Sequence, residues 1–158
     1  MNNEEINIKI DEIEAVMVDN LDPIDCPVIH SFSPGFYIRQ IFMPAGTLIT
    51  SLIHKTKHTY QITKGIVKVK INEGEWEILE AGHAGVTEPG TRRILFIESD
   101  CVWTTFHPIL EDEQPVSLTE EEIEKAVDII GDRIIEKRGN TLLGYMIKNN
   151  KTVELINA

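Results

Sequence analysis

The chain changes its hydrophobic rhythm twice. From Gly35 to Pro108 it breaks into short runs rich in Val, Ile, Thr and aromatics: FYIRQIFM, TLITSLIH, TYQIT, IVKVKI, WEILE, AGVTE, RRILFIE and VWTTFH. Clusters of Gly, Pro, Asn, Asp and Glu separate them, at MPAG, NEG, EAGH, EPGT and ESD. About eight strands at this spacing predict an antiparallel sandwich or barrel. INEGEW, Ile71 to Trp76, reads as a hairpin turn with Gly74 free to take positive φ.

Beyond Pro108 the period becomes helical. Ile123, Ala126, Val127, Ile130 and Ile134 form one apolar stripe. Thr119 and Glu122 stand at capping-box spacing, and Lys137, Arg138 and Gly139 suit a helix end. The last stretch, LLGYMIKNNKTVELI, suggests a small hairpin around Asn149 and Asn150. Before the strands the signal is double. Ile6, Ile8 and Ile10 alternate as in a strand, while Ile6, Ile10, Ile13 and Met17 follow helical spacing. A short helix or a packing arm is expected there. Asn20 to Pro34, with Pro23, Pro27 and Pro34, reads as an irregular connection. The resulting division is an arm and connection over 1–34, a barrel over 35–110, and a helix and tail over 111–158.

Composition narrows the function classes. A chain of 158 residues with 42% apolar residues supports one domain with a real core. A net charge of −11, from 15 basic and 26 acidic residues, disfavours nucleic acid and anionic membrane surfaces, both of which need clustered Lys and Arg. Seven of the acids crowd Glu111 to Glu124, where Glu120 to Glu122 read as a favourable helix start. Cys26 and Cys101 form no CxxC pair and read as buried thiols of a reducing compartment. The acidic N-terminus lacks a signal-peptide core, and no run has the roughly 18 apolar residues of a membrane span. A cytoplasmic protein is expected.

Candidate chemistry concentrates in PAGTLITSLIHKTKHTYQITKG, Pro44 to Gly65. His54 would end one strand and His58 begin the next, so both rings could face the interior. Two imidazoles rarely hold a metal firmly. His107, at the end of VWTTFH, is the third candidate; three histidines with open positions would suit a Lewis-acid or oxygen-activating metal (Zn, Fe, Mn or Ni). The competing reading is three hydrogen-bonded pocket histidines without metal. If Ile94 to Ile97 paired with Val102 to Thr105 across the ESD turn, His107 would lie opposite Arg92 or Arg93. Arg93 would suit a carboxylate or phosphate ligand, or else a rim pair with Glu88 or Glu98. Tyr60 shares the face of His58 and could orient a ligand or simply fill the core. Trp103 reads as core or interface filler, and His30 and His83 as solvated loop residues. No Walker loop, dinucleotide fingerprint, GxSxG or HExxH is present.

These residues resemble the cupin superfamily of jelly-roll β-barrels. Gly46 and Gly65 stand near the glycines of its first motif. His54 takes the second histidine's slot, His58 that of the ligating glutamate, and Leu52 that of the first histidine. Gly82 and Glu88-Pro89-Gly90-Thr91 resemble the second motif, with Arg93 where its histidine is expected. HKTKHTYQITKG, PGTRR and DCVWTTFHP further resemble small phage-associated cupin-like proteins. The resemblance covers about half the chain. It implies a mainly β, cupin-type antiparallel jelly-roll barrel with an appended C-terminal helix, in a host cytoplasm or a virion; it implies no particular reaction. Two functions follow as expectations. One is a non-enzymatic ligand-binding or assembly module, a homodimer whose helix or arm covers barrel edges. The other is a metal-dependent enzyme (isomerase, dioxygenase or lyase) acting on a small anionic molecule.

Overall fold

The structure is a computed structural model that describes residues 2–71, 75–136 and 144–146. It is mainly β: an antiparallel jelly-roll barrel with one helix before it and one after it. The first element is α1 (Asn3–Asn20), so helical spacing wins over alternation in this segment. Asn2 caps it, accepting from the Glu5 amide at 2.9 Å while the Glu5 carboxylate accepts from the Asn2 amide at 3.1 Å. Ile6, Ile10 and Met17 are buried against Leu21, Leu48 and Ile94.

Among the described residues nine strands follow: β1 (Asp22–Pro23), β2 (Val28–Ser33), β3 (Phe36–Met43), β4 (Thr47–Thr50), β5 (His58–Ile71), β6 (Glu77–Glu80), β7 (Ala84–Thr87), β8 (Arg93–Pro108) and β9 (Gly144–Met146). All pairs are antiparallel. β8 is the hub: its first half pairs with β4, its second half with β3, and nearly its whole length with β5. β3 carries β2 on its other edge, β5 also pairs with β6 and β7, and β9 lies between β1 and β4.

Three expectations are corrected here. The segment after Asn20 is not an irregular connection, because β2 pairs with β3 from Val28↔Ile41 to Ser33↔Phe36. The barrel sheet therefore begins before residue 35. TYQIT and IVKVKI are one strand, and so are RRILFIE and VWTTFH. No ESD hairpin exists, and His107 is registered against Tyr37 rather than against an arginine. Instead, β5 and β8 form one long ribbon whose register shifts between Ile62 and Val67. Such bulges bend a strand and raise its twist. Gly65 lies at this point with φ +90°, and a Cβ there would stand 2.2 Å from the Asp100 carbonyl oxygen. Gly65 is thus where two strand backbones approach too closely for a side chain.

The main core fills the barrel with Ile41, Met43, Ile49, Ile62, Val67, Val69, Leu95, Ile97, Cys101 and Trp103. Helix α2 (Glu120–Ile134) starts at Thr119, whose hydroxyl accepts from the Glu122 amide. Its stripe of Ala126, Ile130 and Ile134 is buried against Tyr37, Phe32 and Ile109. A 3-10 turn, Glu111–Glu113, leads into it, and Arg133 grips Glu113 with two bonds of 2.6 and 2.7 Å. That pair holds the Glu113 carboxyl below its usual range. Gly74, Lys137, Arg138, Gly139 and the hairpin expected at Asn149–Asn150 lie outside the described residues. No described helix is long and apolar enough to cross a membrane.

Candidate metal centre

Four parts of the chain build the site. His58 opens β5 and His107 nearly closes β8. Both are buried, at 5% and 1% exposure. His54 lies between β4 and β5, where hydrogen bonds from two directions fix its backbone. Its carbonyl accepts from the Gly90 amide in the EPGT turn at 2.9 Å, and the residue forms an antiparallel bridge with Ile135. On either side, the Lys55 amide donates to Ile134 and the Glu136 amide to Ile53, at 2.6 and 2.9 Å. The exit of α2 is therefore a wall of the site.

The sequence expectation that these three histidines meet holds. Ring centroids stand 4.5 Å apart for His54–His58, 4.5 Å for His58–His107 and 5.1 Å for His54–His107. One nitrogen from each ring can be chosen so that all lie within 4.8 Å of one another. Nitrogens on a tetrahedral zinc, at 2.0–2.1 Å from the metal, stand about 3.3 Å apart. Small ring rotations would close the cage.

Thr105 Oγ1 lies 2.9 Å from His107 Nε2. The other ring nitrogen is His107 Nδ1. It is buried and has no partner. His58 Nδ1 lies 3.4 Å from the Thr56 carbonyl oxygen, which leaves Nε2 as its free acceptor. An orphaned, buried nitrogen on a ring packed beside two other imidazoles is what a metal would satisfy. Burial first, and mutual repulsion second, push His54 down to about 3 and His107 down to about 2. Burial also lowers His58. All three are neutral at pH 7, the state a metal requires.

Beside them lies a cavity of about 60 Å³. Ile41, Met43, Ile49, Leu52 and Leu95 supply its apolar wall; Arg39, Arg93, Ser51, Thr87 and Thr105 supply its polar groups. Arg93 is 7% exposed. It does not pair with Glu88 or Glu98, which bind Lys57 and Lys68. Its neighbour Arg92 points the opposite way, to Asp11 and Glu14 of α1, each at 2.7 Å. Arg39 was not expected at the site. Its signal was available: Tyr37, Arg39, Ile41 and Met43 alternate onto one face of β3.

Tyr60 does not line the cavity. It stacks on Trp103 at 4.8 Å, bonds His83 Nε2 at 3.0 Å and lies beneath the Arg93 guanidinium at 5.0 Å. His83 is thus a partner of Tyr60 rather than a solvated loop residue. His30 is likewise a strand residue, hydrogen-bonded to Tyr37 Oη. Trp103 is core, as expected. The two thiols are free. Burial raises both, and Cys101 is pushed up to about 11, so neither is poised as a nucleophile.

No family model and no curated protein matches the chain. Solved structures resemble it. One is a cupin-2 domain containing protein from Shewanella frigidimarina, 12% identical over 66% of this chain and 99% of that one, with TM-score 0.43. A second is ectoine synthase from P. lautus, 19% identical over 61% and 75%, with TM-score 0.46. A third is an uncharacterized conserved protein with a double-stranded beta-helix domain from Klebsiella pneumoniae, 16% identical over 57% and 84%, with TM-score 0.44. Each likeness is one of fold alone.

Proposed function

We propose that the barrel is a metal-dependent site for a small anionic molecule, with His54, His58 and His107 holding one divalent transition metal. The convergence of three buried imidazoles, one with an orphaned nitrogen, carries this reading. Neutral imidazole sets suit Zn, Fe, Mn or Ni. A bound metal would act as a Lewis acid on an oxygen of the incoming ligand. The chain's own groups do the rest. Thr105 orients His107, the α2 exit fixes His54, and the apolar wall keeps bulk water from the polar end. Arg39 and Arg93 line the cavity, and their charge attracts an anion.

A second reading, a binding module without turnover, is favoured by one observation. No carboxylate or thiol lines the cavity among the described residues, so with the histidines on a metal no other side chain there is an evident proton shuttle. The homodimer inferred from the sequence stays part of the proposal, and a sedimentation coefficient of a monomer at micromolar concentration would remove it.

Cobalt(II) tests the metal reading. Loading the full chain should give the visible absorption of a low-coordinate nitrogen site, and acetate should shift those bands by entering an open position. A spectrum equal to that of aqueous cobalt would reject it.

A further inference from the structure

We infer that Arg39 and Arg93 make this cavity a receptor for a short dicarboxylate, one carboxylate on the metal and the other on the guanidiniums; this rests on the three-histidine metal reading. The argument begins with charge. Among the described residues neither arginine has a carboxylate partner. Arg93 is 7% exposed and its Nε, fully buried, has no hydrogen-bond partner. A buried guanidinium without a counter-charge is costly, and burial lowers both arginines from their ordinary range. With neutral imidazoles, two guanidiniums and a divalent ion bring four positive charges to a cavity whose lining has no acidic side chain. Such a cavity selects for more than one negative charge.

Position and shape narrow the class further. Arg39 belongs to β3 and Arg93 opens β8, so the two arginines reach the cavity from different strands. Arg93 is held in place at three points. Its amide donates to Ser51 Oγ at 2.8 Å, its carbonyl accepts from the Ser51 amide at 2.9 Å, and its guanidinium lies over Tyr60 and Trp103 at 5.0 and 6.0 Å. A planar fork so fixed matches a planar carboxylate. Ile41, Met43, Ile49 and Leu95 offer a hydrocarbon spacer an apolar wall. The cavity is small, so a short spacer suits it, and malonate and succinate are the natural probes.

Calorimetry on the full chain tests this, with zinc uptake measured first and the loaded protein freed of excess zinc. Malonate or succinate should bind at least about tenfold more tightly than acetate, the effect of one charge-assisted hydrogen-bonded pair. Arg93→Gln and Arg39→Gln should each erase that preference while zinc stoichiometry is kept. Arg93→Lys, which keeps the charge and the fold but loses the fork, should erase most of it. Zinc uptake with dicarboxylates no tighter than acetate would overturn the dicarboxylate assignment and leave the metal reading standing. So would inorganic phosphate binding more tightly than malonate. Failure to take up zinc would instead remove the metal reading, and with it the first of the two anchors.

Discussion

His54 and Ile135 form an antiparallel bridge that ties the exit of the C-terminal helix to a candidate metal ligand. The helix reaches the site a second way, because its stripe packs on Tyr37, whose ring stacks on His107 at 5.6 Å. Helix α2 and its exit are therefore part of the site's frame. Ile130 is fully buried in this contact. Ile130→Ala should cost about 2–5 kcal/mol by cavity formation and should also weaken zinc binding, since His54 and His107 lose their backing. Urea unfolding and zinc titration of the same variant check it. An unchanged zinc affinity in a destabilised but folded variant would separate helix from site.

Arg92 is the strongest tie between α1 and the barrel. It is 1% exposed, donates to the Asn7 carbonyl at 3.2 Å, and binds Asp11 and Glu14 at 2.7 Å each. Arg92→Ala takes the guanidinium away from the mostly buried Glu14. The expected loss is about 3–5 kcal/mol, typical of breaking a buried pair from one side. Glu14→Gln should cost less, because Asp11 still pairs with the guanidinium. Denaturant midpoints of the two variants give the comparison, and equal midpoints would refute the ordering.

Gly65 and Gly35 both have positive φ, at +90° and +82°, but only Gly65 faces a backbone atom. Gly35→Ala meets open space and should cost only the left-handed penalty of about 1–2 kcal/mol. Gly65→Ala must also push the Asp100 carbonyl away at the bend of the ribbon. It should be the more damaging by a wide margin in thermal unfolding. Similar melting temperatures would mean that β5 and β8 separate there without strain.

The metal-free protein should lose stability in mild acid. In the unfolded chain the histidines titrate near 6.5, whereas burial takes His54 down to about 3 and His107 down to about 2. Between those values the unfolded state binds more protons, so unfolding free energy rises with pH and falls as pH drops from 7 towards 5. Each imidazole contributes at most about 1.4 kcal/mol per pH unit. Urea unfolding at pH 7, 6 and 5 should show the decline, and His107→Gln should flatten it. A pH-independent midpoint would contradict the buried, neutral triad.

Much of this was legible in the chain. The α2 stripe announced its own burial, and the strand rhythm announced a β-barrel. His54, His58 and His107 could be grouped because each was read at a strand end, although β4 stops at Thr50 and His54 lies beyond it in an isolated bridge. Much of what escaped has one physical origin. A long strand that bends through bulges carries the same Gly, Ser and Asp residues as a hairpin turn, so β5 and β8 each read as two strands. With β8 cut in two, Arg93 was placed opposite His107 by a pairing that does not occur. The real route is the bend, which brings the Arg93 guanidinium over Tyr60 and Trp103. Arg92 escaped because its partners Asn7, Asp11 and Glu14 lie on a helix whose docking no local pattern encodes.

Metal content measures the central claim most directly. Untagged protein, purified without a metal column and assayed by elemental analysis, should carry about one divalent transition metal per chain, and His54→Ala and His58→Ala should each abolish it. Folded protein that stays metal-free when offered zinc, iron, manganese and nickel, or that keeps its metal in both variants, would contradict the account.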